Sequence, residues 1–318
     1  MVDYLTSLNP LYLLQSLPSG VAQGIIWGIM ALGVYITFRL LDVADLTVDG
    51  TFATGGAVTV MLIISGVPAP VAMLAAVFAG ILAGTVTGLL HTLLGIPAIL
   101  ASILTQFALY SVNLHILGMK ANQALSVDKY NLVLSSRNIT NAIIVVGAIA
   151  LVIIIVLYWY FGTEQGCSIR ATGNNPSMSK AQGINISFIK VLGLALSNGL
   201  VALSGGLMAQ YQGYCDVKMG SGAIVIGLAA VIIGEVLGEA LLGKHLNFFL
   251  RLLFVIFGGI IYYIVVNVVL WLKLDSNDLK LFTAVIVAIF LAVPYLKTKS
   301  KNSFSRAARN AAKNKGGK

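Results

Sequence analysis

The chain of 318 residues is 58% apolar and only 10% charged, with a mean hydropathy of +0.94. That composition excludes an ordinary soluble globular domain. The net charge of +9 comes almost wholly from the eight basic residues of 297–318. Such a tail could attract nucleic acid, but beside a last membrane span it is read as attracted to anionic lipid headgroups.

Residues 1–18 carry no basic leader and no small-residue cleavage signal, so they do not read as a removable signal peptide. The stretch LYLLQSL at 11–17 is expected to lie as an amphipathic helix at the membrane interface. A crossing helix needs about 20 apolar residues for a hydrocarbon core of about 30 Å. Backbone groups in lipid must be paired within their own element, and the alternation of a membrane barrel strand is absent. The apolar runs predict nine spans, at roughly 19–38, 50–66, 69–91, 97–117, 140–161, 188–210, 221–241, 247–271 and 279–296. The expected fold is all-α, a polytopic helical membrane protein of about 8–10 transmembrane helices. Its expected organisation is an interfacial segment (1–18), a transmembrane domain (19–296) and a basic tail (297–318).

The second span is short and opens with Gly50, Thr51, Thr54, Gly55 and Gly56. Just before it come Arg39, Asp42, Asp45, Thr47 and Asp49. A short helix whose amino terminus points into a cavity can attract anionic groups through its free amides and dipole. Asp49, near the expected N-cap, is the acid of most interest. The plainer alternative has Asp42 and Asp45 balancing Arg39 and Asp49 merely capping its helix. In the fourth span Ser102, Gln106 and Asn113 recur at roughly helical spacing, with Thr105 and Tyr110 beside them. Polar residues at that depth face a bundle interior or a wet cavity, or simply bond between helices. The candidates for a translocation path are Asp49, Thr51, Phe52, Thr54, Ser102, Thr105, Gln106, Tyr110 and Asn113.

Glycines repeat every four residues in the first span (Gly20, Gly24, Gly28) and the third (Gly80, Gly84, Gly88). Such stripes let helix backbones approach closely, either in static packing or in a sliding interface. Gly205-Gly206 and Gly258-Gly259 could permit kinks. Glu235 and Glu239 share a helix face near one end of the seventh span, in reach of Lys244 or Arg251.

Between the fifth and sixth spans lies a polar interruption, Gln165–Gly183, reading QGCSIRATGNNPSMSKAQG. It must lie outside the hydrocarbon. Asn175, Pro176 and Ser177 are helix-start chemistry, and Ala181 and Gly183 follow. The segment reads as a short surface helix shaped to be gripped by a partner. Lys and Arg accumulate on cytoplasmic sides. With the tail placed in the cytoplasm, 13 of the 20 basic residues fall inside, including Arg170 and Lys180, and six fall outside. The orientation therefore puts 165–183 and the carboxyl terminus in the cytoplasm of a cell-membrane protein, and the amino terminus outside.

Cys167 and Cys215 then lie on opposite sides and should not pair. The histidines are isolated, no metal-ligand spacing exists, and no metal site is expected. Residues 238–245, GEALLGKH, nearly match a phosphate-binding loop but lack its final hydroxyl and continue an apolar helix. The chain is not expected to be an enzyme, to hold a cofactor or to hydrolyse ATP itself.

The run from Ala31 to Phe52, with ALGVYITFRLLDVADLTVDGTF, resembles the first span and following loop of ATP-binding-cassette importer permeases of the branched-chain amino acid and ribose superfamily. It is most similar to the branch that works with tryptophan- or tyrosine-binding lipoproteins. Residues 170–184, RATGNNPSMSKAQGI, resemble that superfamily's cytoplasmic coupling segment, and 109–118 and 229–235 are also similar to the branch. The resemblance implies two permease copies, an expected homodimer, working with two ATPase subunits that bind ATP and magnesium. It further implies an extracellular substrate-binding lipoprotein, with tryptophan or tyrosine the favoured cargo. It assigns ATPase coupling to Arg170, Ala171, Gly173, Asn174, Asn175, Pro176, Ala181, Gly183 and Ile184. Residues 43–50 depart from the stretch typical of the branched-chain permeases, so substrate preference does not carry over. The rival reading, a self-sufficient secondary transporter or channel, would need ionisable groups deep in the spans. Only Asp49, Glu235 and Lys190 approach that description.

Overall fold

In the computed structural model, the described residues are 10–243 and 246–271, with isolated helical positions between 281 and 292. The ninth expected span (279–296) therefore falls largely outside the described residues, and the basic tail wholly so. Among the described residues eight helices are long and apolar enough to cross a membrane. They are α1 (Pro10–Tyr35), α2 (Thr47–Ile64), α3 (Ala69–Thr92), α4 (Ala98–Ile116), α5 (Ile139–Gly162), α8 (Ile186–Gln212), α9 (Ala223–Leu242) and α10 (Phe248–Trp271). Two short helices, α6 (Glu164–Asn174) and α7 (Pro176–Ala181), fill the polar interruption. Two three-residue strands, β1 (Asn122–Ala124) and β2 (Tyr214–Asp216), pair antiparallel at the opposite end of the bundle. The 11–17 stretch is not a separate interfacial helix; it continues into the first span as one helix.

Burial explains the arrangement. The apolar window of α1 is 83% buried, whereas that of α5 is 28% buried despite a mean hydropathy of 3.0. A helix apolar on all sides and open on most of them belongs at the lipid boundary. The α1 helix is the central post. Its Ile26, Ile29, Met30, Leu32 and Tyr35 are fully enclosed, packed with residues of α5, α8, α9 and α10. It ends in one turn of π-helix, Ile36–Leu40.

The glycine stripes mark where backbones touch. A Cβ on Gly80 would meet the Asn198 carbonyl, one on Gly84 the Leu194 carbonyl, and one on Gly88 the Val191 Cα at 2.8 Å, all on α8. Gly24 and Gly28 seat Ile260 and Ile256 of α10 in the same way. The paired glycines do not break their helices: α8 and α10 run unbroken through them. Gly205 instead admits the Phe52 carbonyl and Gly258 the Ala230 carbonyl.

Two helices begin inside the membrane thickness. Thr51 lies opposite Asn198, Gly55 opposite Ala202 and Thr59 opposite Gly206, so α2 runs parallel to α8 and starts near its middle. Likewise Gly227 packs on Met30 and Val34, and Glu235 meets Arg39. Thus α9 descends beside the second half of α1. The chain reaches the start of α9 by dipping back from β2: Met219 meets Gly56, and Gly220 meets the Asp49 carbonyl.

Close packing at these glycines sets a sharp test. Gly55→Ala and Gly205→Ala force a methyl into the carbonyls of Ala202 and Phe52. Each should cost about 1–3 kcal/mol of overpacking and lower the melting temperature in detergent. Gly147→Ala has open space and should leave it unchanged or raised.

Candidate functional site

The first site element is the polar junction where α2 and α9 begin. Asp49, in the first turn of α2, accepts hydrogen bonds from the backbone N–H groups of Gly222 and Ile224, both at 2.9 Å. The first amides of a helix have no partner in their own helix and carry partial positive charge. Asp49 therefore caps α9 across the junction. It stands in the first turn of α2, close to the N-cap Leu46, which makes no side-chain cap. The alternative that Asp49 merely caps its own helix is corrected, since its carboxylate serves α9.

Asp45 is buried and accepts from the Thr47 N–H at 2.9 Å and the Asn198 amide at 2.7 Å. Asn198 in turn accepts from the Thr51 hydroxyl at 2.8 Å, and the Thr47 and Thr87 hydroxyls pair at 2.8 Å. An enclosed carboxylate without such donors would be strongly destabilising. Asp42 is exposed, with a φ of 54°. Arg39 is thus not balanced by Asp42 or Asp45. Its partner is Glu235 at 2.8 Å, because α9 descends directly beside the π turn. Among the described residues Glu235 therefore pairs with Arg39 and not with Arg251, and Lys244 lies outside the described residues.

The other path candidates lie on α2 and α4, mostly facing inward, with Gln106 and Asn113 of α4 meeting α2 at Gly50. Thr54, Ser102 and Thr105 return their hydroxyls to carbonyls of their own helices, at 3.0, 2.8 and 3.0 Å. Phe52 is buried and stacks on Trp27, with ring centroids 4.7 Å apart. Asn113 donates to the Gly50 carbonyl at 3.3 Å, and its Oδ1 is buried without a partner among the described residues. Gln106 is half-buried over Gly50, and Tyr110 is exposed. Asp49, Gln106 and Tyr110 thus keep open surface, whereas Thr51, Phe52, Thr54, Ser102, Thr105 and Asn113 are enclosed. Sequence reasoning missed Asn198 and Thr87. Asn198 was findable as a lone amide in the middle of an apolar run.

The second element is the projecting pair α6–α7. Thr163 caps α6 by accepting from Gly166, and Asn175 caps α7 by accepting from the Met178 N–H at 3.0 Å, with Pro176 in the first turn. Ile169, Thr172 and Ser179 are buried, and Gly173 lies against the carbonyl of Leu40 at the foot of α1. Ala171, Asn174, Asn175, Pro176, Met178, Lys180, Ala181 and Gly183 are exposed, and Ile184 is half-buried. Arg170 is turned aside: it donates to the Phe161 carbonyl at 2.8 Å and lies 5.6 Å from the Phe248 ring centre. Cys167 on α6 is exposed, whereas Cys215, the middle residue of β2, is buried, and both are free thiols. Burial, with Asp216 adding to it, pushes the Cys215 thiol up to about 12.

Residues 16–294 match the family model described as branched-chain amino acid transport system, permease component. The chain belongs to this permease family. It is 39% identical over 287 residues to the tyrosine transport system permease protein of Clostridioides difficile, covering 90% of this chain and 93% of that one. An uncharacterized protein of Rickettsia prowazekii is 32% identical, over 86% and 96% of the two chains. The autoinducer 2 import system permease protein of Salmonella typhi is 27% identical over 63% of this chain and 57% of its own length. No solved structure matches the chain.

Removing the Asp49 cap should be felt at both helix starts. Asp49→Ala leaves two amides of α9 without their acceptor and should cost about 2 kcal/mol. Asp49→Asn, which retains an acceptor oxygen, should cost less. Thermal unfolding of the purified variants in detergent checks the order wild type, Asn, Ala; equal melting temperatures for all three would contradict the capping role.

Proposed function

We propose that this chain is the membrane-spanning permease subunit of an ATP-driven importer of a small solute, with α7 and its flanks as the docking surface for a separate ATPase. The observation that carries the reading is a capped, exposed helix, α7, following directly on α6, which Gly173 seats against the foot of the central post. Its surroundings offer a mechanical route. A push on α7 passes through α6 to Leu40 and Leu41, along 42–46 to the Asp45–Asn198 contact, and so to α2 and the Asp49 cap on α9. Such a chain of packed contacts can move between two arrangements and open a path on one side at a time. The residues that would couple are Ala171, Gly173, Asn174, Asn175, Pro176, Ala181, Gly183 and Ile184, with Arg170 holding the base of α6.

In this reading a second permease copy completes the pathway, two ATPase subunits supply ATP hydrolysis with magnesium, and an extracellular lipoprotein delivers the cargo. The carboxyl terminus lies in the cytoplasm. An aromatic amino acid is the favoured cargo, supported by the 39% identity to a tyrosine transport permease.

Ala181→Trp should abolish uptake while leaving membrane insertion and ATPase co-purification measurable, and full uptake by this variant would refute the docking assignment. Sidedness is readable with the native thiols. Cys167 is exposed, and the buried Cys215 holds its proton, so an impermeant maleimide should label only Cys167. Labelling is expected in inside-out vesicles and not in intact cells; the reverse would place α6–α7 outside and end the importer reading.

A further inference from the structure

Where α5 leaves the membrane and turns into α6, a cavity of about 660 Å³ opens between α5, α6 and the start of α10. Its walls include Tyr158, Trp159, Thr163, Arg170, Asn247 and Phe248. The α5 face leading to it is among the most lipid-like on the molecule, with Leu151, Val152, Ile155 and Val156 each about half exposed. Trp159, 70% exposed, stands where that face ends, and the next elements are polar. Aromatic side chains at such a position mark the boundary between hydrocarbon and headgroups.

Arg170 supplies the charge. Its guanidinium has five N–H donors. The Phe161 carbonyl and the Cys167 sulfur engage its Nη2, at 2.8 and 3.4 Å. The Phe248 ring supports one face of the group. Among the described residues no carboxylate forms an ion pair with it. A fixed cation with spare donors, at headgroup level and next to a lipid-facing helix, suits a phosphate by charge and by geometry.

We propose that this cavity binds the phosphate of an anionic phospholipid, with Arg170 as its cation and the acyl chains lying along the 151–156 face of α5. The lipid bridges α5, α6 and α10 at the base of the projecting helix pair. An anionic leaflet therefore steadies α6 directly, independently of the basic tail and of what is transported.

The test is native mass spectrometry of the purified full chain in detergent, titrated with phosphatidylglycerol, phosphatidylcholine or inorganic phosphate. Wild type should retain phosphatidylglycerol over phosphatidylcholine, and Arg170→Gln should weaken that retention about tenfold, the equivalent of about 1.4 kcal/mol. Arg170→Lys should recover part of it. Neutralising the lysines and arginines of 297–318 should leave the Arg170-dependent component in place. Should Arg170→Gln fail to fold, Trp159→Leu gives the same reading through the wall of the cavity. Equal retention of the two lipids by wild type, or no loss in any cavity variant, overturns the proposal. Displacement of phosphatidylglycerol by millimolar inorganic phosphate would show that the site takes free phosphate and not lipid. Loss of uptake in Ala181→Trp with lipid retention intact would separate this site from the coupling surface.

Discussion

A helix that starts within a membrane must find partners for its first amides inside the protein, because lipid provides none. Two helices here start that way, and the junction is built around that constraint. Asp49, carried on the first turn of α2, closes the open end of α9. Asp45, on the approach to α2, is held by the Thr47 amide and by Asn198 from the middle of α8. Each carboxylate is therefore both a cap and a tie, joining segments far apart in sequence. The re-entrant arrival at Gly220 and the short length of α2 are consequences of the same solution.

Tight helix contact makes those ties geometrically possible. In lipid the association of helices gains little from burying apolar surface, so close backbone approach and dispersion carry more of the work. Gly80 and Gly84 let α3 settle against α8, and Gly55 and Gly205 let α2 lie on α8 closely enough for Thr51 to reach Asn198. The same economy of space joins α6 to the foot of α1 through Gly173. Close contact thus holds both ends of the 41–46 connection, with Gly173 against Leu40 at one end and Asp45 on Asn198 at the other.

Most element boundaries were legible because a membrane imposes a simple rule on composition. Runs of apolar residues located eight helices, seven of them to within a few residues at both ends, and Asn175-Pro176 announced α7 through capping chemistry that is local. The failures share a cause. The 11–17 stretch reads on its own as an amphipathic interfacial helix, but it continues through Pro18 into the first span as a single helix. Arg39 was matched with its neighbours in sequence, whereas α9 brings Glu235 from almost two hundred residues away. Asn198 drew no notice because its role depends on Asp45 and Thr51 converging on it.

Composition and local pattern determined the membrane class, the helix count among the described residues, and the polar excursion at 165–183, since each follows from lipid thickness and from interactions within a few residues. Tertiary structure alone decided that Asp49 caps a distant helix and that Gly205 and Gly258 seat carbonyls of neighbouring helices. It also turned Arg170 away from the projecting tip. Those outcomes depend on which backbones come within hydrogen-bonding or van der Waals reach, a property of packing that no short stretch of sequence encodes.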